Sequence, residues 1–238
     1  MLNFEPCKAG KNRGAMAARP HLAEREEEAR AVGGMSVADG SRAAILDAAA
    51  ACFMAKGYAA SSIDDVARSL GSTKGRIYHH YPSKGDLFAD VFRAGMEMNY
   101  AAIEPVRDVA GLAVERWRRM ATVHTRQMIV TRPYQRVVWE GVELYLRGAT
   151  TPEQREEFAR LMQYRNDYGA IFRQVIVAAR EAGDMRFDDP RVTEQLMFVS
   201  LNSPLFWYTP RPGESEHDIE VIVAQVVDFT ARGLGVSA

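Results

Sequence analysis

The sequence predicts an all-α protein, and three observations predict it. Apolar residues recur at helical spacing from Ser41 onward, and no segment shows strict period-two alternation bounded by turn residues. Breakers fall at Gly111, Pro133, Gly148 to Pro152, Gly183 to Pro190 and Pro210 to Ser215, leaving amphipathic stretches of roughly 15 to 30 residues, lengths suited to a bundle. The composition, 238 residues with 47% hydrophobic and 26% charged, can fill a core and excludes disorder as the dominant state. With 30 Lys plus Arg against 31 Asp plus Glu the net charge is −1, so a whole-chain polycation is excluded and any surface for a polyanion must be local. The two cysteines, Cys7 and Cys52, form neither a disulfide framework nor a zinc-ligand cluster, which points to a reducing, cytoplasmic setting. No run of 18 apolar residues is present, so no membrane span is expected.

Residues 1–36 hold scattered Lys and Arg, the cluster Glu26-Glu27-Glu28 and no apolar run, and are read as a disordered arm, with Met35 an alternative start. A first helix opens after Asp39-Gly40-Ser41, aligns Ile45, Leu46, Ala49 and Phe53 on one face, and stops at Gly57, a residue that tolerates positive φ. Ser62, followed three residues later by Asp65, forms a capping box for a short helix that ends at Leu70-Gly71. A further short helix over Ser72 to Tyr81 is ended by Pro82. Ser83 and Asp86 then open a long helix whose apolar face begins Leu87, Phe88, Val91, Phe92 and which runs to about Glu104-Pro105. Near the carboxyl end a second long apolar helix is expected from Val192 to Tyr208. A last one carries Ile219, Ile222, Val223, Val226, Val227 and Thr230 as a stripe that must be covered. An intramolecular partner could cover it, and a two-fold homodimer interface would use just such a stripe.

Two short helices joined by a tight glycine turn make a helix-turn-helix signature. Between Ser72 and Lys84 lie Lys74, Arg76 and Lys84, two histidines and several hydroxyls, without one acid, so charge is segregated locally despite global neutrality. Thr73, Lys74 and Arg76 fall at the amino end of the second helix, where a recognition helix meets base edges in the major groove. Gly75 removes a side chain where backbone must come close. Tyr78, His79 and Lys84 suit phosphates, Lys84 especially, because it lies in the first turn of the following helix. Ser62 and Ser72 complete the candidate DNA-binding set. The competing reading of this segment is a solvated helix face with Tyr78 or Tyr81 in the core.

The run Ser61-Ser62-Ile63-Asp64-Asp65-Val66-Ala67 through Gly71-Ser72-Thr73-Lys74-Gly75-Arg76-Ile77-Tyr78-His79-His80-Tyr81-Pro82-Ser83-Lys84-Gly85-Asp86-Leu87 resembles the DNA-binding domain of the tetracycline-repressor-like (TetR/AcrR) transcriptional regulators. Gly71, Tyr78, His80, Ser83, Lys84 and Leu87 match that pattern, as does the preceding helix with Phe53 and Gly57. Arg76 stands where a small hydroxyl residue is common, and Tyr81 replaces the more usual Phe, a change expected to have little physical consequence. The resemblance implies an all-α protein with an N-terminal helix-turn-helix, three-helix DNA-binding domain over residues 37–87 and a larger C-terminal helical bundle over residues 88–238 for ligand binding and dimerisation. It implies a ligand-responsive repressor, a homodimer on pseudo-palindromic double-stranded operator DNA, released by a small hydrophobic effector and needing no cofactor or metal.

An effector cavity requires apolar and aromatic walls with a few polar anchors. Trp117, Met120, His124 and Met128 lie near one helical face, Trp139 follows Pro133, and Tyr168 and Phe172 continue the i, i+4 row begun at Tyr164. Aromatics so spaced are also what a plain core uses. Asn202-Ser203-Pro204-Leu205-Phe206-Trp207-Tyr208 resembles the helix end of family members that answer to acyl-coenzyme A thioesters, which adds Asn202 and Trp207. Ser203 and Phe206 replace the Trp and Arg common there, removing a basic anchor for a phosphate. A protein-binding bundle without a cavity and an all-helical enzyme are the competing classes. The enzyme's best acid pairs would be Asp64-Asp65, Asp188-Asp189 and Glu140 with Glu143; Asp64 and Asp65 read instead as first-turn helix acids, and Glu140 and Glu143 as partners of nearby arginines.

Overall fold

A computed structural model describes residues 37–148 and 152–236, and the arm read over residues 1–36 lies outside them. The described residues form ten helices and no strand: α1 (Val37–Ala60), α2 (Ile63–Ser69), α3 (Lys74–His80), α4 (Lys84–Arg107), α5 (Ala113–Val130), α6 (Arg132–Arg147), α7 (Pro152–Glu181), α8 (Pro190–Leu201), α9 (Pro204–Trp207) and α10 (Glu216–Gly233).

Local chemistry sets the first four. Gly57 breaks α1 with φ 77° and ψ 162°, a backbone region essentially reserved for glycine. The capping box on α2 is present in full: Ser62 Oγ accepts from the Asp65 amide at 3.1 Å, and Asp65 Oδ2 accepts from the Ser62 amide at 3.0 Å. At its other end the Ser72 amide bonds Ala67 O and the Gly71 amide bonds Arg68 O, the paired bonds of a Schellman turn, with Gly71 at φ 64°. Before Pro82, Tyr81 is extended, which ends α3. Ile45, Ala49, Phe53, Val66, Ile77 and Leu87 converge as the buried centre of this region.

By length and composition Ser41–Ala60 could cross a membrane. Its alanines give it that hydropathy, but Ile45, Leu46, Ala49 and Phe53 bury one face in this core and Arg42 is tied to Asp90.

The long helices depart from expectation in two places. α4 continues through Pro105 to Arg107, because a proline near the last turn forfeits one bond without ending the helix. The helix expected from Val192 to Tyr208 starts earlier, at Pro190, with Asp189 as cap, and is divided at Asn202-Ser203 into α8 and α9. Pro204 has no amide hydrogen to continue the ladder and opens α9 instead. α10 is started by a capping box between Ser215 and Asp218 that the sequence reading overlooked.

α4 and α6 cross closely. A Cβ on Gly141 would stand 2.6 Å from the Phe92 ring, and one on Gly95 would stand 2.9 Å from Val138, so hydrogen is what each position accommodates. The stripe on α10 is divided: Val223, Val227, Thr230 and Ala231 are buried, whereas Ile222 and Val226 are partly open. Beside them Val192, Leu196, Val199, Trp207 and Phe229 are exposed, a contiguous choice of apolar side chains on α8, α9 and α10.

Candidate DNA-reading surface and internal cavity

α3 presents Thr73, Lys74, Gly75, Arg76, Tyr78 and His79 to solvent and buries Ile77, so the acid-free segment is an outward face and not part of the core. Tyr78 is 50% exposed and Tyr81 is buried, which resolves the alternative between them. A Cβ on Gly75 would meet nothing nearer than Thr73 Oγ1 at 3.9 Å; the fold itself does not demand glycine there. Ser72 is half-buried, and the exposed Ser62 has its hydroxyl in the α2 cap. Arg76 donates to Ser41 Oγ at 2.9 Å. Asp65 is engaged by Lys56 and Arg68, and the Lys56 hydrogen bond, followed by that of the Ser62 hydroxyl, holds its carboxyl well below the ordinary carboxylate range.

Lys84 is placed differently from a free phosphate ligand. Its Nζ donates to Tyr58 O at 2.7 Å and Ser61 O at 2.9 Å and lies 4.3 Å from the Tyr58 ring centre. The ammonium therefore fastens the α1–α2 link to the start of α4, and what it offers an anion is the field of its charge beside that helix's amino end. Glu140 was expected to face an arginine. Instead, it accepts the Tyr58 amide at 2.6 Å, while Glu143 does pair with Arg147.

A second network lies between the reading helices and the bundle. Buried Asp90 on α4 receives both Arg42 bonds from α1 (2.8 and 2.7 Å), Arg93 Nη1 at 2.8 Å and the Tyr81 hydroxyl at 2.6 Å. The expectation that Tyr for Phe at position 81 has little consequence is thereby overturned: the phenol satisfies a buried carboxylate. Burial, then Asp90, pushes the Tyr81 hydroxyl up to about 12. Arg93 extends the network to Glu157 on α7 at 2.6 Å.

Inside the bundle a cavity of about 40 Å3 lies among α4, α5, α6, α7 and α8. Five of the nine candidate ligand residues line it: His124, Met128, Trp139, Tyr168 and Asn202. The other four do not reach it. Trp117 and Met120 are core, with Trp117 Nε1 donating to Met197 Sδ at 3.2 Å; Phe172 is buried behind the His124 ring; Trp207 lies on the exposed α8–α10 side. Helical spacing could not separate a cavity wall from the core layer behind it.

His124 bridges Tyr168 (Nδ1 to hydroxyl, 2.9 Å) and Asn202 (Nε2 to Oδ1, 2.8 Å). Burial, opposed by the Asn202 bond, lowers its pKa to about 4, so the ring is neutral at pH 7; Nε2–H donates to Asn202 and the Tyr168 hydroxyl donates to Nδ1. Sequence reasoning missed the remaining polar lining: Asn99, Gln135, Arg165, Glu194 and Gln195. Gln135 Nε2 donates to Gly95 O (3.1 Å) and Thr131 Oγ1 (3.0 Å), which turns its Oε1 toward Asn99 Nδ2 at 2.9 Å. A backbone carbonyl can only accept, so the order of donors along this relay is set, and it leaves buried Asn99 Oδ1 without a donor. Glu194 is buried, pairs with Arg173 at 2.5 Å, and fits only because Gly169 lacks a side chain: a Cβ there would be 2.3 Å from Oε1.

A helix-turn-helix with an exposed acid-free second helix, attached to a larger helical bundle, defines a DNA-binding regulator of the helix-turn-helix class. Comparison with known proteins agrees. Residues 45–91 match the family of bacterial regulatory proteins, tetR family, and residues 110–234, more than half of the chain, match the tetracyclin repressor-like C-terminal domain. The chain belongs to the TetR family of transcriptional regulators, which are DNA-binding proteins and not enzymes. It is 23% identical over 201 residues to the transcriptional repressor KstR2 of Rhodococcus jostii, covering 82% of this chain and 91% of that protein. Among solved structures it resembles the TetR family regulator PfmR of Thermus thermophilus, at 27% identity and TM-score 0.65 over 80% of this chain and 98% of that one. It also resembles AibR, solved in complex with isovaleryl coenzyme A and operator DNA, at 25% identity and TM-score 0.63 over 82% of this chain and 97% of that one.

Proposed function

We propose that this regulator is a repressor that binds a pseudo-palindromic operator as a homodimer and is released when a small hydrophobic effector enters the bundle. The observation that carries the reading is the outward, acid-free α3 face on a helix-turn-helix whose supports run directly to the walls of the cavity. Thr73, Lys74 and Arg76 take base edges; Tyr78, His79, Ser62, Ser72 and the α4 amino end beside Lys84 take phosphates, with Gly75 admitting the sugar-phosphate chain. Residues 37–87 act as the reading domain and residues 88–238 as the sensing and pairing domain, joined by the continuous helix α4. Exposed Leu196, Val199, Trp207 and Phe229 favour pairing through α8 and α10. The acyl-thioester complex of AibR supports an acyl-coenzyme A as one effector class.

The mechanism follows from spacing. Two reading helices grip one face of the duplex only when about 34 Å, or one helical turn, separates them. α6 contributes Gln135, Val138, Trp139 and Val142 to the cavity and, on the same helix, Tyr134 to Asp47 of α1 (2.7 Å) and Glu140 to the Tyr58 amide. A ligand whose bulk presses on these α6 side chains shifts the helix, and displacing α6 pulls on α1 and the α1–α2 link. By linkage, the effector weakens DNA binding by the factor with which DNA weakens effector binding.

A gel shift on the DNA upstream of the protein's own gene tests this. Binding is expected from wild type, with losses on Lys74→Ala and Tyr78→Phe and a steep decline between low and moderate salt as phosphate contacts release counterions. Equal binding by wild type and both variants, or a flat salt response, would remove the α3 face from the reading.

A further inference from the structure

An open vestibule of about 340 Å3 adjoins the 40 Å3 cavity, and the two share Trp139, Val142, Arg165, Gln195, Phe198 and Asn202 as a common throat. Tyr145, Leu146 and Met162 extend the vestibule wall outward. Among the described residues that line it, Arg165 is the only charged one. Its guanidinium makes no hydrogen bond or ion pair within the described residues, and the residue is partly buried.

The cavity's one carboxylate, Glu194, does not discharge it. Glu194 is bonded to Arg173. Arg165 and Arg173 against Glu194 leave one positive charge over, and that charge is felt inside: it contributes to lowering His124, while desolvation pulls Arg165 itself below its ordinary value against the opposing field of Glu194. A partly buried, unpaired cation beside Trp139, Val142 and Phe198 is better satisfied when an anion arrives with the ligand. The inner end has a matching need, since Asn99 Oδ1 has no donor until water or a ligand hydroxyl supplies one.

We propose that the throat is a carboxylate site: Arg165 receives the carboxylate of a medium-length apolar acid whose body lies along Trp139, Val142 and Phe198. This rests on the small hydrophobic effector of the reading given above and, within that reading, takes the free acid in place of the acyl-coenzyme A. One uncompensated cation matches one monovalent carboxylate, whereas the several phosphate charges of a coenzyme A group would need more basic side chains than the vestibule holds. Planar guanidinium and planar carboxylate also match bidentately, which a neutral amide or thioester carbonyl cannot do.

Calorimetric titration of the full chain with octanoate, octanamide and octanoyl-coenzyme A tests the assignment. Wild type is expected to bind octanoate about tenfold or more tighter than octanamide. Arg165→Gln erases that preference while retaining octanamide binding, and Arg165→Lys keeps part of it. Circular dichroism melting of each variant guards against misfolding, and the Lys variant, which keeps the charge, still reports if the Gln variant does not fold. Equal affinity for acid and amide, absence of octanoate binding, binding of the thioester alone, or a preference that survives Arg165→Gln each overturns the proposal. A gel shift run in parallel separates the two readings. Octanoate binding by a protein that ignores DNA sinks the regulator reading alone, and DNA release by octanoyl-coenzyme A without octanoate binding sinks this one alone.

Discussion

Tyr81 illustrates how one oxygen changes a residue's work. Its ring is core, as a Phe would be, but its hydroxyl is one of three groups that donate hydrogen bonds to the buried Asp90, beside the guanidiniums of Arg42 and Arg93. Tyr81→Phe is expected to cost about 1–2 kcal/mol, because Arg42 and Arg93 remain on the carboxylate, and urea denaturation checks it; an unchanged midpoint would show the phenol to be idle. Lys84 carries a parallel lesson. The sequence places it correctly in the first turn of α4, yet only the fold brings the two carbonyls of the α1–α2 link within its reach. Lys84→Ala should therefore lower stability by about 1–3 kcal/mol along with DNA affinity, whereas a residue serving phosphate alone would lower affinity only. Melting and gel shift on one preparation distinguish these.

At the scale of elements, capping residues, glycine turns and proline stops made α1 to α4 readable before any coordinates. Gly57 was expected as a stop, and the structure adds why glycine is needed: φ is positive, ψ is near 160°, and a Cβ would approach Glu140 Oε1 to 3.3 Å. Gly57→Ala is expected to destabilise the reading domain by about 1–3 kcal/mol, seen as faster amide exchange in α2 and α3 and as weaker operator binding. The seam of α5, α7 and α8 around His124 has its own pH signature. Unfolded, the imidazole takes a proton near its ordinary value of 6.5; folded, it does so at about 4. Between these values the unfolded state holds more protons, so stability falls as pH drops through that window, by on the order of 3 kcal/mol in all, and no further on this account below it. Urea midpoints across the window should show a slope that His124→Gln flattens; equal slopes in both proteins would mean that the ring titrates normally.

At the scale of the whole molecule, apolar side chains left uncovered on α8, α9 and α10 set the expectation for assembly. Replacing Leu196, which is 65% exposed, by Glu should leave the protomer's melting nearly unchanged, shift sedimentation toward monomer and abolish tight operator binding, since each half-site then holds one head alone. A Leu196→Glu protein that still sediments as a dimer would place the pairing surface elsewhere. The cavity of the helical bundle is where sequence reading went least far. Its aromatic rows were visible, but Trp117 and Met120 turned out to be core, while Arg165, Glu194 and Asn99 went unnoticed, because a polar residue in an amphipathic helix looks solvated until its neighbours are known.

What the sequence determined alone was everything governed by neighbours a few residues apart: the all-α class, the capping box at Ser62, the single-sided Ser83 cap on the Asp86 amide where a full box was expected, the turn at Gly71 and the segregation of charge along α3. Those interactions depend on backbone hydrogen bonds within one or two turns, so spacing suffices to read them. Tertiary structure decided what long-range packing controls. It assigned Lys84 to two carbonyls, gave Glu140 the Tyr58 amide, and left Arg165 charged and unpaired beside an aromatic channel. Burial and partner are properties of helices brought together from distant parts of the chain, and no local periodicity encodes which faces will meet.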